Sequence, residues 1–210
     1  MSIDPVWHFF RVAPDEVTQV QEAFDRAVRQ SRIAEQTQAF FESQQGQSND
    51  FDSFYESYGN IFDLFYPEAF TELFDDVVTD KLQLAERSLE FVMTNRFGAS
   101  AMLFYALGWE LSHRLPGYFG NLFVSPNDVA NVLAEVEQVF NAINAAEFVE
   151  RAEEAGSLGN CNGDVAGNLA SLLPASLRTV LAEGDGLLAL NYPHAGCIPY
   201  PGYEDEEYEG

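Results

Sequence analysis

Lysine is almost absent from this chain of 210 residues: Lys81 is the only one, and the basic residues number 10 in all against 34 acidic ones, a formal charge of −24. Such a surface repels phosphate backbones and anionic lipid, so nucleic acid and membrane are excluded as partners. What the charge favours is a basic protein partner or plain solubility, with a high-salt habitat as a further reading. Cysteine is scarce too. Cys161 and Cys197 are too few for a disulfide scaffold. The opening Met1-Ser2-Ile3-Asp4-Pro5 has neither a basic n-region nor an apolar h-region, and a cytoplasmic location is the expectation. Long apolar runs are missing as well: Phe97 to Trp109 is the most membrane-like and falls well short of the ~20 residues of a spanning helix. No G-x-G-x-x-G, Walker, G-x-S-x-G, H-E-x-x-H or S-x-x-K pattern occurs, and nothing calls for a cofactor.

What is present is core material. Hydrophobic residues make up 47% of the chain and phenylalanine occurs 18 times, enough to bury a substantial interior. The reading is a single domain over residues 1–192, followed by a loose acidic tail over 193–210 that ends in Tyr203-Glu204-Asp205-Glu206-Glu207-Tyr208-Glu209-Gly210.

The stretch Asn121 to Val136 organises the rest. A short apolar run meets Ser125-Pro126-Asn127-Asp128 and passes into a helical pattern in which Val129, Val132, Leu133, Val136, Val139, Phe140 and Ile143 share one side. Ser125 as N-cap, Pro126 at the first helical position and Asp128 three residues after the cap suit such a junction. A similar junction follows Pro5 to Val12, a strand-like run, with Val17, Val20, Phe24, Ala27 and Val28 on the apolar side of the next helix, which Ile33, Phe40 and Phe41 continue. His8, inside that strand, reads as a core or strand-face residue before it reads as a ligand. Residues 80–97 read as a central helix, Ala99 to His113 as an apolar helical run, and Ala146 to Ala155 as a polar helix ended by Gly156. Gly156 to Gly167 reads as a glycine-rich connection, Leu169 to Ala182 as an amphipathic helix stopped by Gly184, and Leu187 to Tyr192 as a buried strand. The expected fold is therefore α+β and mostly α, with a small sheet built from strands near residues 6–12, 121–125 and 187–192 and covered by several helices.

Four blocks carry a resemblance: VAPDEV from Val12, LQLAERSLEFVMTN from Leu82, NLFVSPNDV from Asn121 and LAEGDGLLALN from Leu181. Together they resemble the YfbM-like family, a bacterial domain of unknown function. The resemblance implies a compact α+β domain in which strands near both ends join a middle strand in one sheet. It lends no reaction. The family's central helix reads close to LDKAWHALHFLLTG, and Gln83, Leu84, Glu86, Arg87 and Glu90 stand here where its Asp, Lys, Trp and two His residues fall.

Two sets of residues compete for function. Phe51 to Phe74 interleaves aromatic and acidic residues; aromatic residues at helical spacing read first as core, yet charge beside them also suits a docking face. On that reading Glu56, Asp63, Glu68, Glu72, Asp75 and Asp76 engage a basic protein partner, as an immunity or inhibitor protein would, and the protein is not an enzyme. The rival is a small-molecule binder or enzyme using the 156–167 loop with Glu110, His113 and Cys161. Glu110-Leu111-Ser112-His113 is the only E-x-x-H in the chain and half of a carboxylate-bridged metal pair, so no metal is assigned to it. Cys161 and Cys197, even with His194 beside the latter, lack a rigid setting for thiol catalysis.

Overall fold

The structure, a computed structural model, describes residues 4–46, 50–82, 87–94, 98–158 and 165–194. Within them four strands, β1 (Asp4–Val12), β2 (Ser88–Met93), β3 (Leu122–Val124) and β4 (Gly186–His194), form one antiparallel sheet in the order β2-β1-β4-β3. The first and last strands lie at its centre, paired from Asp4 opposite His194 to Val12 opposite Gly186. Val6 to Phe10 and Leu187 to Tyr192 are buried throughout, so helices cover both faces of the sheet. This is the mostly helical α+β fold expected from the pattern.

The helices are α1 (Val17–Ser31), α2 (Ile33–Ser43), α3 (Phe51–Phe65), α4 (Glu68–Leu73, extended as a π-helix over Phe74–Lys81), α5 (Ala99–Leu107), α6 (Trp109–Ser112), α7 (Val129–Asn141), α8 (Ala145–Leu158) and α9 (Val165–Glu183). On one face of the sheet Trp7 gives its indole N–H to the Gly120 carbonyl at 2.9 Å, and Asn191 takes a hydrogen bond from Ser100 of α5 at 2.7 Å. On the other, Phe10 and Tyr192 pack against Phe74, with the Tyr192 and Phe74 rings stacked 4.0 Å apart. Of the aromatic segment, Phe54, Phe65, Tyr66, Phe70 and Phe74 are buried, which puts the core reading first, whereas Tyr55 stands 57% exposed.

Several expectations need correction. Residues 80–97 do not form a central helix: the π-helix ends at Lys81, and Ser88–Met93 is an edge strand paired with β1, Val6 opposite Met93. Arg87 and Glu90 thus flank and occupy a strand, while Gln83, Leu84 and Glu86 lie outside the described residues. The first helical run breaks at Arg32, whose φ of 54° is left-handed. The apolar run from Ala99 breaks at Gly108, with φ of 76°, a conformation that costs a glycine little and other residues more. α7 begins at Val129, not at Pro126, because Ser125 to Asp128 form a turn closed by the Asp128 N–H on the Ser125 carbonyl, and the Ser125 hydroxyl bonds Asp128 at 2.6 Å instead of capping the helix. Gly156 lies inside α8 and α9 starts at Val165, so both ends of the expected glycine-rich loop are helical, while residues 159–164 lie outside the described residues. Cys161 and Cys197 fall outside the described residues, as does the tail from residue 195.

Candidate functional site

The break at Gly108 lies in the lining of one depression of the surface. By ending α5 and restarting the chain as α6, it turns Trp109 to His113 toward α2, and a groove of about 1000 Å³ opens between α2, the α7–α8 junction and this short helix. Phe41, Phe104, Leu107, Trp109, Phe119 and Phe148 give it an apolar lining. These rings are held by one another. Trp109 meets Phe40 edge-on at 5.0 Å and stacks on Phe54 at 5.1 Å, and Phe119 stacks on Phe41 at 5.5 Å, so the lining is packed before any ligand arrives.

Phe119 is itself held in a left-handed conformation, φ 50°, by the fold behind it. Asn191, fully buried in β4, donates its side-chain amide to the Phe119 carbonyl at 2.8 Å, and its backbone N–H goes to the Asn121 side chain at 2.8 Å. Asn121 in turn donates to the Phe65 and Tyr118 carbonyls, each at 3.2 Å. The central strand thus fixes the turn that lines the groove.

The polar groups of the groove are mostly acidic. Glu42, Glu110 and Glu147 line it, against a single cation, Arg151, which already pairs with Glu147 at 2.9 Å one helical turn away. Gln38 donates to Glu42 at 2.8 Å. His113 donates from Nδ1 to the Trp109 carbonyl at 3.2 Å, since a carbonyl can only accept, and in the neutral ring this leaves Nε2 as an acceptor. The Thr37 hydroxyl, also of the lining, is buried with no hydrogen-bond partner among the described residues.

A second depression of about 810 Å³ adjoins the groove across Glu147 and Arg151, which line both. It is bounded by Asp50 and Phe51 at the start of α3, by Tyr105 of α5 and by Glu150, Glu153 and Glu154 of α8. Tyr105 donates its hydroxyl to Glu154 at 2.6 Å; burial first, then this hydrogen bond and the carboxylate's charge, push the phenol's pKa upward.

Glu110 and His113 therefore do come together in one groove, as the E-x-x-H spacing implies, while Cys161 lies outside the described residues. The other candidate set does not converge there: Asp63, Glu68, Glu72 and Asp75 are exposed along α3, α4 and the π-helix, and Asp76 pairs with Lys81 at 2.7 Å. Glu56 has no described side chain. Sequence reasoning missed Phe41, Thr37, Trp109, Glu147 and Arg151. The one local signal for them was the Glu147–Arg151 spacing of four, an ordinary surface pair until a groove lies beside it.

A further arrangement has the residue types of a catalytic relay. His8 bonds the Ser88 hydroxyl through Nε2 at 2.6 Å and the Tyr192 hydroxyl through Nδ1 at 2.9 Å. Burial pulls the His8 pKa down to about 3, which makes the ring a weak base, and neither His8 nor Ser88 lines either of these two depressions. Among the described residues no three His, Cys, Asp or Glu side chains gather as a metal site, and no helix is long and apolar enough to cross a membrane. No protein family's sequence profile matches the chain, nor does any curated protein or solved structure.

Proposed function

We propose that the protein acts by binding, and that its groove takes a ligand with an apolar or aromatic body and a cationic end. One observation carries this: a depression of about 1000 Å³ whose aromatic lining meets three carboxylates and only one arginine, itself already paired. A volume of that size with an apolar lining and a few polar groups is the usual form of a ligand site. An ammonium placed among Glu42, Glu110 and Glu147 gains charge-assisted hydrogen bonds, and the Trp109 and Phe41 rings belong to the apolar lining that meets the rest of the ligand. The reading keeps the expectation of a non-enzymatic module with a basic partner and moves its site from the aromatic acidic segment to Glu110 and His113. The YfbM-like resemblance adds no chemistry to it.

Tryptophan emission tests the proposal, because the chain has two tryptophans and they differ. Both are buried, but Trp7, 1% exposed, is hydrogen-bonded in the sheet, whereas Trp109, 8% exposed, lines the groove. Titration with 4-phenylbutylamine is expected to shift the emission saturably, 4-phenylbutanol to bind several-fold more weakly, and the pair Glu110→Gln and Glu147→Gln to reduce the amine's affinity by about tenfold. No saturable change, or equal binding of amine and alcohol, sinks the proposal.

A further inference from the structure

We infer that the natural occupant is a basic amphipathic segment of a partner protein, lying across both depressions with its apolar side on the Trp109 groove and its Lys or Arg side chains over the acidic cleft. This rests on the binding reading of the groove and names the partner class for it.

The first argument is continuity. Glu147 and Arg151 line both depressions, so the apolar groove and the cleft lie side by side with this ion pair between them. A small ligand is enclosed by roughly 300 to 1,000 Å³. The groove alone reaches the top of that range and the cleft adds about 810 Å³. An occupant that fills both is a polymer segment.

The second is the layout of charge. Glu147, Glu150, Arg151 and Glu154 fall at helical spacing on one side of α8, while Phe148, Ala152 and Ala155 on the other side are buried. From Glu147 to Glu154 the helix rises ~10 Å, about two turns of an α-helix or three residues of extended chain. Asp50 and Glu153 add to that row. Five carboxylates against Arg151 select for several cations in sequence, not for one. The whole molecule reinforces the choice, since a net charge of −24 disfavours a second copy of this chain as the occupant.

The third is an aromatic rim. Tyr55, 57% exposed, stacks at 6.2 Å on Phe51, and Phe51 lines the cleft and meets Tyr105 edge-on at 5.4 Å. An exposed aromatic ring beside carboxylates suits the stem and head of an arginine or lysine. Arg151 then takes on a defined role. Its side chain, 27% exposed and paired with Glu147, occupies the place where the partner's cation would sit, so it competes with the partner.

The test uses the full chain and a helix-forming peptide of about 14 residues, built of leucine and lysine on opposite faces, with pentalysine and 4-phenylbutylamine as references. Isothermal titration is expected to give the peptide at least about tenfold tighter binding than either reference, and Trp109 emission to show that it displaces the amine. Glu150→Gln with Glu153→Gln should weaken the peptide about tenfold and leave 4-phenylbutylamine within about twofold; Glu154 is left alone because it holds Tyr105. Arg151→Gln should tighten the peptide several-fold, whereas a merely structural arginine would loosen it when removed. Circular dichroism confirms that each variant is folded. If the amine binds but the peptide is no tighter than pentalysine, or ignores the Glu150 and Glu153 changes, this inference is overturned and the groove reading stands. If neither binds at Trp109, both fall.

Discussion

His8 is held neutral because burial takes the ring out of water, which costs the charged form more than the neutral one. Tyr192 and Ser88 occupy its two nitrogens, and the ring packs on Phe10 with centroids 3.9 Å apart, so desolvation dominates and the pKa falls to about 3. An unfolded chain would hold the same histidine near 6.5. Between those values the unfolded state carries more protons, so stability rises with pH through the window: the contribution is complete above pH ~6.5 and is lost as pH falls toward 3. Urea unfolding of the wild type and of His8→Gln should therefore converge or cross as the solution is acidified, the wild type losing roughly 3 kcal/mol relative to the variant between pH 7 and pH 4. Carboxylate titration affects both proteins alike and cancels in the difference. Parallel profiles would mean that the ring is solvated. The strand pattern was enough to read His8 as a core residue; its partners at 88 and 192 come from strand pairing and lie beyond any local window.

At the level of elements, the turn that shapes the groove depends on residues far away in sequence. The Asn191 side chain accepts from Ser100 and donates to Phe119, and Gly120 between them has φ of 94° with no room for a β-carbon: one built there would lie 2.8 Å from both the Asn191 amide and Ser100 Cβ. Asn191→Ala leaves the Phe119 carbonyl and the Ser100 hydroxyl without their buried partner, which costs about 2 to 4 kcal/mol by the usual size of such losses. Ser100→Ala orphans a single buried acceptor, the Asn191 side-chain oxygen, and should cost about half as much, on the order of 1 to 2 kcal/mol. Chemical denaturation measures both, and similar values for the two would show that the network is not held by Asn191.

Elements that formed from local pattern alone were legible: β1 and β4 lie where their aromatic and apolar runs put them, and the apolar face of α7 where helical spacing puts it. β2 was not, and the reason is physical. Ser88-Leu89-Glu90-Phe91-Val92-Met93 contains one β-branched residue and good helix formers, and its strand state comes from pairing with β1. The groove was hidden for a related reason. Glu110 and His113 are visible as a spacing, but a single left-handed glycine, Gly108, decides which way they face.

For the molecule as a whole, the charge was legible and its arrangement was not. Glu153-Glu154 reads in sequence as an adjacent pair pointing in different directions, and only the packing of α8 against α5 turns these residues into one wall of a cleft with Asp50 of another helix. Internal pairing does little to relieve the excess: Arg11, Arg32, Arg87, Arg151 and Arg178 and Lys81 all have acidic partners, mostly at exposed positions where a pair contributes at most about 1 kcal/mol. Most of the 34 acidic groups therefore repel one another across the surface. Added salt acts on that repulsion and on binding with opposite signs. Raising sodium chloride from about 20 to 500 mM shortens the Debye length from about 20 Å to below 5 Å, which screens repulsion in the folded state and should raise the thermal midpoint by on the order of 5 °C. The same screening should weaken the leucine and lysine peptide by about tenfold or more while changing 4-phenylbutylamine far less, since a single ammonium held against an aromatic lining draws more of its binding from apolar contact. Calorimetric melting and titration at matched salt read the two effects on one sample. A midpoint that falls with salt would place the stabilising charge interactions in attractive networks, and peptide binding indifferent to salt would remove the acidic cleft from the interface.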